Sequence, residues 1–91
     1  MTAIELTMAD VSRDAYAVWE WLRAHDLDPD RTRPGVRVEN GRVIASLYVR
    51  DRDGRLVIER DPYTDTPLGP KTVDVNVPQR APIPHGIGTV T

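Results

Sequence analysis

The segment from Val36 to Arg60 constrains the fold more than any other part of this 91-residue chain. Apolar and polar residues alternate on both sides of the dipeptide Asn40-Gly41. Asn-Gly accepts the positive φ angles that both central positions of a type I′ turn require, and this turn matches the twist of paired strands. The pattern predicts a three-stranded antiparallel meander with strands at 36–39, 42–51 and 55–60.

The second turn of this meander allows two registers. A three-residue loop pairs Asp51 with Arg55 and places Leu56 on the same face as Tyr48. A four-residue loop pairs Val49 with Leu56 and collects the apolar residues on one face, because a shift of one residue moves every side chain to the other side. We favour the four-residue loop, since one helix covers only one face. In the other register the second apolar face needs a cover, most simply another subunit.

An amphipathic helix is predicted before the meander, from Met8 to about His25. Thr7 is a suitable N-cap, and Asp10 places a negative charge in the first turn, where the helix dipole favours it. Pro29 ends the helix before the loop, because the residue preceding a proline is pushed to extended geometry. The apolar residues of the helix form one stripe at helical spacing: Val11, Ala15, Val18, Trp19 and Leu22.

The remaining segments flank the helix and the meander. Thr2 to Leu6 is predicted as a short edge strand, and 61–70 is a proline-containing surface loop. Thr72 to Val77 alternates as a half-buried strand that Pro78 ends. Residues 79–91 contain prolines, glycines and little that can be buried. We therefore expect a single domain over 1–78, followed by an extended C-terminal arm.

These elements predict an α+β fold in which one amphipathic helix packs on an antiparallel meander sheet of three to five strands. The element order is βαββββ if the first strand forms. The expected core consists of Val11, Ala15, Trp19, Leu22, Val38, Val43, Ala45, Leu47, Val49 and Val75.

Composition and charge narrow the functional classes. The net charge is −2, and basic residues are interleaved with acidic ones, whereas a protein that binds a phosphate backbone concentrates positive charge on one face. The chain has no cysteine, which excludes disulfides and thiolate metal sites. No signal-like N-terminus or membrane-length apolar stretch is present in the sequence, so we expect a cytoplasmic protein without membrane contact.

Patterns that carry catalysis or metal binding are weak in this sequence. The acidic run that begins at Asp26 starts like a calcium loop, but Arg31 stands where the glycine belongs and Arg37 where the closing glutamate belongs. His25 and His85 lack ligand spacing, and His25 is expected as a cation at the negative end of the helix dipole. Neither serine lies on a nucleophile elbow. We therefore expect no enzymatic activity, no cofactor and no metal.

The aromatic residues are the candidate interface. Trp21 lies about 200° around the helix from Trp19, so both cannot face the sheet. Trp19 is assigned to the core. Two placements stay open for Trp21: an exposed interface anchor, or packing beneath the 28–35 loop or against the C-terminal arm. Exposed aromatic and arginine side chains are typical interface anchors. The candidate interface residues are Tyr16, Trp21, Tyr48, Arg50 and Tyr63.

Four sequence motifs between residues 18 and 78 carry a resemblance: WEWLRAHDLDP, VRVENGRV, RDRDGR and VNVP. With these motifs the chain resembles small uncharacterised proteins of actinobacterial phages and prophages. The resemblance implies a phage origin and host-cell cytoplasm, and it supplies no catalytic or binding residues.

Three functional hypotheses follow from the sequence. The favoured one is a non-enzymatic binding module that acts through protein–protein contacts, either with a host factor or with itself as a homodimer. The first alternative is a nucleic-acid-binding accessory protein that uses the arginine-bearing strands at 37–60. The second alternative is a small-ligand binder on the exposed sheet face.

Overall fold

A computed structural model describes residues 3–91, which form an α+β fold as predicted. The elements in chain order are β1 (Ile4–Leu6), α1 (Met8–Ala24), β2 (Val36–Glu39), β3 (Arg42–Tyr48), β4 (Ile58–Arg60), β5 (Pro67–Pro70), β6 (Thr72–Pro78) and β7 (Thr89–Val90). The main antiparallel sheet has the order β6-β3-β2-β1-β7, and β4 pairs with β5 in a second small sheet. Thr2, predicted within the first strand, lies outside the described residues.

The first hairpin has the predicted register. Val38 lies opposite Val43, and Glu39 lies opposite Arg42. The turn residues between them have φ angles of +54° and +70°, the positive values that a type I′ turn requires. The side chain of Val43 is completely buried, so this hairpin places the centre of the sheet in the core.

The second turn uses the three-residue loop, so the favoured four-residue register was wrong. The N–H of Asp51 donates to the carbonyl of Arg55 at 2.8 Å, and Gly54 has the left-handed φ of +82°. The Asp51 carboxylate also accepts from the N–H groups of Asp53 and Arg55. These local hydrogen bonds stabilise the turn although they leave Leu56 39% exposed.

The third strand of the expected meander does not continue alongside β3. β3 pairs with β6 along its whole length, and beyond that ladder the two strands separate. Val57 lies in the fork: its N–H donates to the Val49 carbonyl at 2.9 Å, and its carbonyl accepts from the N–H of Lys71 at 2.7 Å. The predicted strand at 55–60 is confirmed only at Ile58–Arg60, and the predicted 61–70 loop is wrong at its end, where Pro67–Pro70 forms β5. β4 pairs with β5 in a separate hairpin that starts at this fork.

The helix is broken at Asp14, where φ is −155° and ψ is 79°. The carboxylate of Asp14 accepts from the N–H of Ala17 at 3.1 Å, so Asp14 caps the second helical segment. One apolar stripe from Val11 to Leu22 requires an unbroken helix. Because the helix is broken at Asp14, the buried face of the second segment cannot be extrapolated from the position of Val11 in the first segment.

Trp19 is placed opposite to the prediction, whereas Trp21 packs against the C-terminal segment, one of the two placements considered for it. Trp21 is 4% exposed, whereas Trp19 is 42% exposed. The buried face of the second segment follows the spacing i, i+3, i+4, i+7 and comprises Val18, Trp21, Leu22 and His25. Apolar spacing alone does not identify this stripe, because its last member is a histidine, a polar residue.

Residues 79–91 are extended, and they pack along the helix and the sheet. Ile87 is 8% exposed, and Ala81 and Ile83 are half-buried against the core. β7 pairs with β1, which therefore has a neighbouring strand on each side. The predictions that this segment buries little and that the first strand lies at an edge were both wrong.

The core combines predicted and unpredicted residues. Leu22, Val38, Val43 and Ala45 are buried as expected, and Val11, Leu47 and Val75 are half-buried against them. Ala15 and Val49 are half-buried. Six core residues were not predicted, and they come from the helix, from strand ends, from the loop after the helix and from the C-terminal segment: Leu6, Val18, Trp21, Leu27, Val36 and Ile87.

Gly88 provides a test of how the C-terminal segment packs. A Cβ atom at Gly88 would lie 2.6 Å from Cγ2 of Ile4, whereas one at Gly86 would have no neighbour within 4 Å. Both glycines have positive φ, so alanine strains the backbone at both positions. We expect Gly88→Ala to lower the free energy of unfolding by about 1–3 kcal/mol more than Gly86→Ala, the usual cost of overpacking. Urea unfolding measures both variants, and equal losses would contradict the observed packing on β1.

Candidate functional site

The C-terminal segment sets the orientation of the second helical segment. The indole N–H of Trp21 donates to the Ala81 carbonyl at 3.2 Å, and the N–H of Arg80 donates to Nε2 of His25 at 2.9 Å. Because Nε2 accepts, the imidazole proton is on Nδ1, which donates to the Trp21 carbonyl at 2.7 Å. His25 is 1% exposed and forms a buried hydrogen-bonding link between the end of the helix and the C-terminal segment.

Trp19 points away from this contact and lines an apolar groove of about 160 Å³. The groove lies between α1 and the loop at 29–34, and the start of β2 contributes to its floor. Its lining is mainly apolar, with two polar residues at the loop: Leu6, Met8, Val11, Val18, Trp19, Leu22, Pro29, Thr32, Arg33, Pro34 and Val36. The groove is open to a partner because Trp19 and Met8 are 42% and 57% exposed.

The loop wall of the groove is bound to the sheet. The N–H of Arg33 donates to the Ser46 carbonyl at 2.8 Å, and the N–H of Tyr48 donates to the Arg31 carbonyl at 2.7 Å. The carboxylate of Asp28 accepts from the N–H of Asp30 at 2.9 Å, which stabilises the turn that begins at Asp28. The loop thus pairs with the end of β3, and this pairing leaves space beside Trp19.

Asp10 fixes the first turn of α1, which forms the other wall. Its carboxylate accepts from the N–H of Thr7 at 2.8 Å and from the N–H of Gly88 at 3.0 Å, and the side chain is 2% exposed. The hydrogen bond from the Thr7 N–H lowers the pKa of Asp10; burial opposes this effect, and the Gly88 N–H, the Thr7 hydroxyl and the charge of Arg13 lower it further. One carboxylate therefore joins the helix start to the C-terminal segment.

The structure does not bring the predicted interface residues together. Trp21 is buried against the C-terminal segment, which is the alternative placement considered for it. Tyr16 on α1 is 71% exposed, and Tyr63, between β4 and β5, is 95% exposed. Tyr48 is half-buried at the end of β3, with Arg50 exposed just beyond it. An interface role for these residues stays a prediction.

The groove itself was missed from the sequence. Its walls come from two segments that meet only in the folded chain, and its central residue, Trp19, had been assigned to the core. One local signal was present. Asp14 is a poor residue for a helix interior and a good N-cap, so its position within the apolar pattern indicates a second helix start.

Other kinds of site have little support within residues 3–91. No group of three or more His, Cys, Asp or Glu side chains is placed there to hold a metal ion. The helix in this part of the chain lacks the length and apolar character needed to cross a membrane.

Comparisons of the chain with protein-family models, curated proteins and solved structures found no match. The geometry of the groove and of the sheet is therefore the basis for functional inference.

Asp10 gives the fold a defined sensitivity to acid. Its pKa is lowered in the folded state from 3.8, so its stabilising contribution is complete above that value and is lost as the pH falls through the folded pKa. We expect the wild type to lose more stability than Asp10→Asn between about pH 5 and pH 2. Asp53, which is exposed, provides the control variant Asp53→Asn, expected to keep the wild-type acid dependence. An acid dependence unchanged in Asp10→Asn, measured by urea unfolding at each pH, would contradict this role.

Proposed function

We propose that the protein is a non-enzymatic binding module whose apolar groove accepts a side chain of a protein partner. The supporting observation is the size of the groove beside the exposed Trp19, about 160 Å³. An apolar cavity of about 150 Å³ accommodates benzene, whereas sites for drug-sized ligands and cofactors measure about 300–1,000 Å³. These dimensions favour one Phe, Leu or Met side chain presented by a polypeptide over a free cofactor.

The chemistry of the groove also supports a polypeptide partner. Tryptophan and methionine are enriched at the centres of protein interfaces, and Trp19 and Met8 are the large exposed hydrophobic side chains of this lining. Arg33 is exposed at the groove and can donate to main-chain or carboxylate oxygens of a bound segment. An apolar anchor with a polar rim is the usual arrangement of a binding hot spot.

The arginines of the strands give less support to the nucleic-acid alternative. Arg37 pairs with Glu39 at 3.7 Å, Arg42 donates to Oδ1 of Asn76 at 2.7 Å, and Arg50 donates to a main-chain carbonyl at 2.9 Å. Arg37 has an acidic partner, whereas Arg42 and Arg50 donate to neutral oxygens and keep their positive charge. Acidic residues are interleaved with the arginines throughout 37–60. A backbone-binding surface instead gathers unneutralised positive charge on one face.

A binding role agrees with the environment of Asp10. Its lowered pKa arises from hydrogen bonds that hold the helix start and the C-terminal segment, a structural use of the carboxylate.

The resemblance to actinobacterial phage proteins makes a host protein the proposed partner.

The test compares proteins retained from an actinobacterial lysate by immobilised wild type, Trp19→Ala and the control Leu68→Ala. Leu68 is 63% exposed on β5, outside the groove. We expect a protein that wild type and Leu68→Ala retain equally and that Trp19→Ala retains at least about tenfold more weakly, because truncating an anchor tryptophan costs about 2 kcal/mol or more. Mass spectrometry quantifies the retained proteins.

Retention that is equal in Trp19→Ala and wild type would overturn the assignment of the groove as the binding site. A lysate from which wild type retains nothing selectively would overturn the proposed host partner.

A further inference from the structure

Within residues 3–91, β6 forms the outer edge of the main sheet and pairs only with β3. The N–H of Gln79 donates to the Gly41 carbonyl, and the carbonyl of Lys71 accepts from the N–H of Val49. Successive residues of an antiparallel strand direct their main-chain N–H and C=O groups to opposite sides. The main-chain groups of the odd-numbered residues of β6 therefore point toward β3. The residues whose main-chain groups face outward are Thr72, Asp74, Asn76 and Pro78.

This edge has few of the features that normally block pairing with another chain. Sheet edges are usually protected by lysines, prolines, bulges or short strands. β6 has seven residues, pairs with β3 without a register shift, and has its proline only at the end. Its one charged side chain, Asp74, accepts from the Ser46 hydroxyl at 2.7 Å. Val73 is 48% exposed beside this edge.

We propose that two copies of the chain associate by antiparallel pairing of their β6 strands, with the two-fold axis at Val75. The main sheets of both copies then form one continuous sheet. This dimer goes beyond the proposed groove function and rests on different residues, so either proposal can fail without the other.

The charge pattern of β6 selects this register. Outward-facing residues must lie opposite outward-facing residues, which leaves few positions for the axis. An axis at Asp74 places two carboxylates opposite each other, and like charges at this position are destabilising. An axis at Val73 places the apolar Val75 opposite the charged Lys71. An axis at Asn76 places the start of each strand opposite residues beyond the end of the other β6, so the strand ends are not paired.

An axis at Val75 makes the strand self-complementary. Asp74 lies opposite Asn76 of the second copy, and the reverse pair forms by symmetry. Oδ1 of Asn76 is occupied by Nε of Arg42, so its amide N–H groups are available to donate to the carboxylate. On the core face Val73 lies opposite Val77, a β-branched pair that covers exposed apolar surface. The two strands exchange about six main-chain hydrogen bonds in this register. Two of these go to the Asn76 carbonyls, each of which also accepts from the Arg42 guanidinium of its own chain at 3.1 Å and uses its second lone pair for the partner.

The test reverses and then restores the complementarity. Asn76→Asp places like charges opposite each other in the dimer, while its carboxylate still accepts from Arg42 within one chain, so the isolated fold is retained. Adding Asp74→Asn to the same chain exchanges the two side chains and restores the unlike pair. Sedimentation equilibrium is expected to give a wild-type dimer, a dissociation constant at least about tenfold higher for Asn76→Asp, and recovery in the double variant.

A monomeric wild type, a dimer that Asn76→Asp leaves unchanged, or a double variant that does not recover would each overturn this proposal. Amide hydrogen exchange of the wild type provides a readout without substitution. The N–H groups of Thr72, Asp74 and Asn76 are expected to be protected at high protein concentration and to exchange rapidly after dilution. Exchange that is independent of concentration at these three groups would also overturn it.

Discussion

The fold depends on hydrogen bonds between three helix side chains and the main chain of the C-terminal segment. Trp21 donates to Ala81, His25 accepts from Arg80, and Asp10 accepts from Gly88. These polar groups are buried or nearly so, and each would carry a desolvation cost without its partner. The bonds therefore select one rotation of the helix about its axis. That rotation buries one tryptophan and leaves the other at the groove.

Elements decided by local sequence were predicted correctly. The Asn40-Gly41 hairpin, the strand β6 and the limits of α1 follow from turn chemistry, alternation and capping, all of which act within a few residues. These signals were sufficient for the α+β class. The predicted register of the second turn was wrong because the hydrogen bonds of the Asp51 carboxylate to nearby N–H groups outweighed the preference for one apolar face.

The helix face and the C-terminal segment could not be predicted because their partners are distant in sequence. Trp21 and Ala81 are separated by 60 residues, and Asp10 and Gly88 by 78. The buried face of the helix could not be identified from apolar spacing, because it includes His25 and because Asp14 caps a new segment inside the helix. The groove depends on that buried face, so its residues could not be identified before the fold was known.

The groove and the β6 edge use different interactions for recognition. The groove offers shape and apolar area to a single side chain, whereas β6 offers main-chain donors and acceptors with side chains that set the register. The two surfaces draw on separate residues, since β6 contributes nothing to the groove lining. A dimer formed through β6 would carry two grooves and could bind a partner bivalently.

The opposite placement of the two tryptophans is the central claim, and acrylamide quenching of single-tryptophan variants tests it most directly. Trp19→Phe leaves only Trp21, which is 4% exposed, and Trp21→Phe leaves only Trp19, which is 42% exposed. Fluorescence of folded Trp19→Phe is expected to be quenched much more weakly than that of folded Trp21→Phe, with the difference disappearing in urea. Equal quenching of the two folded variants, or stronger quenching in Trp19→Phe, would contradict the helix orientation from which the groove follows.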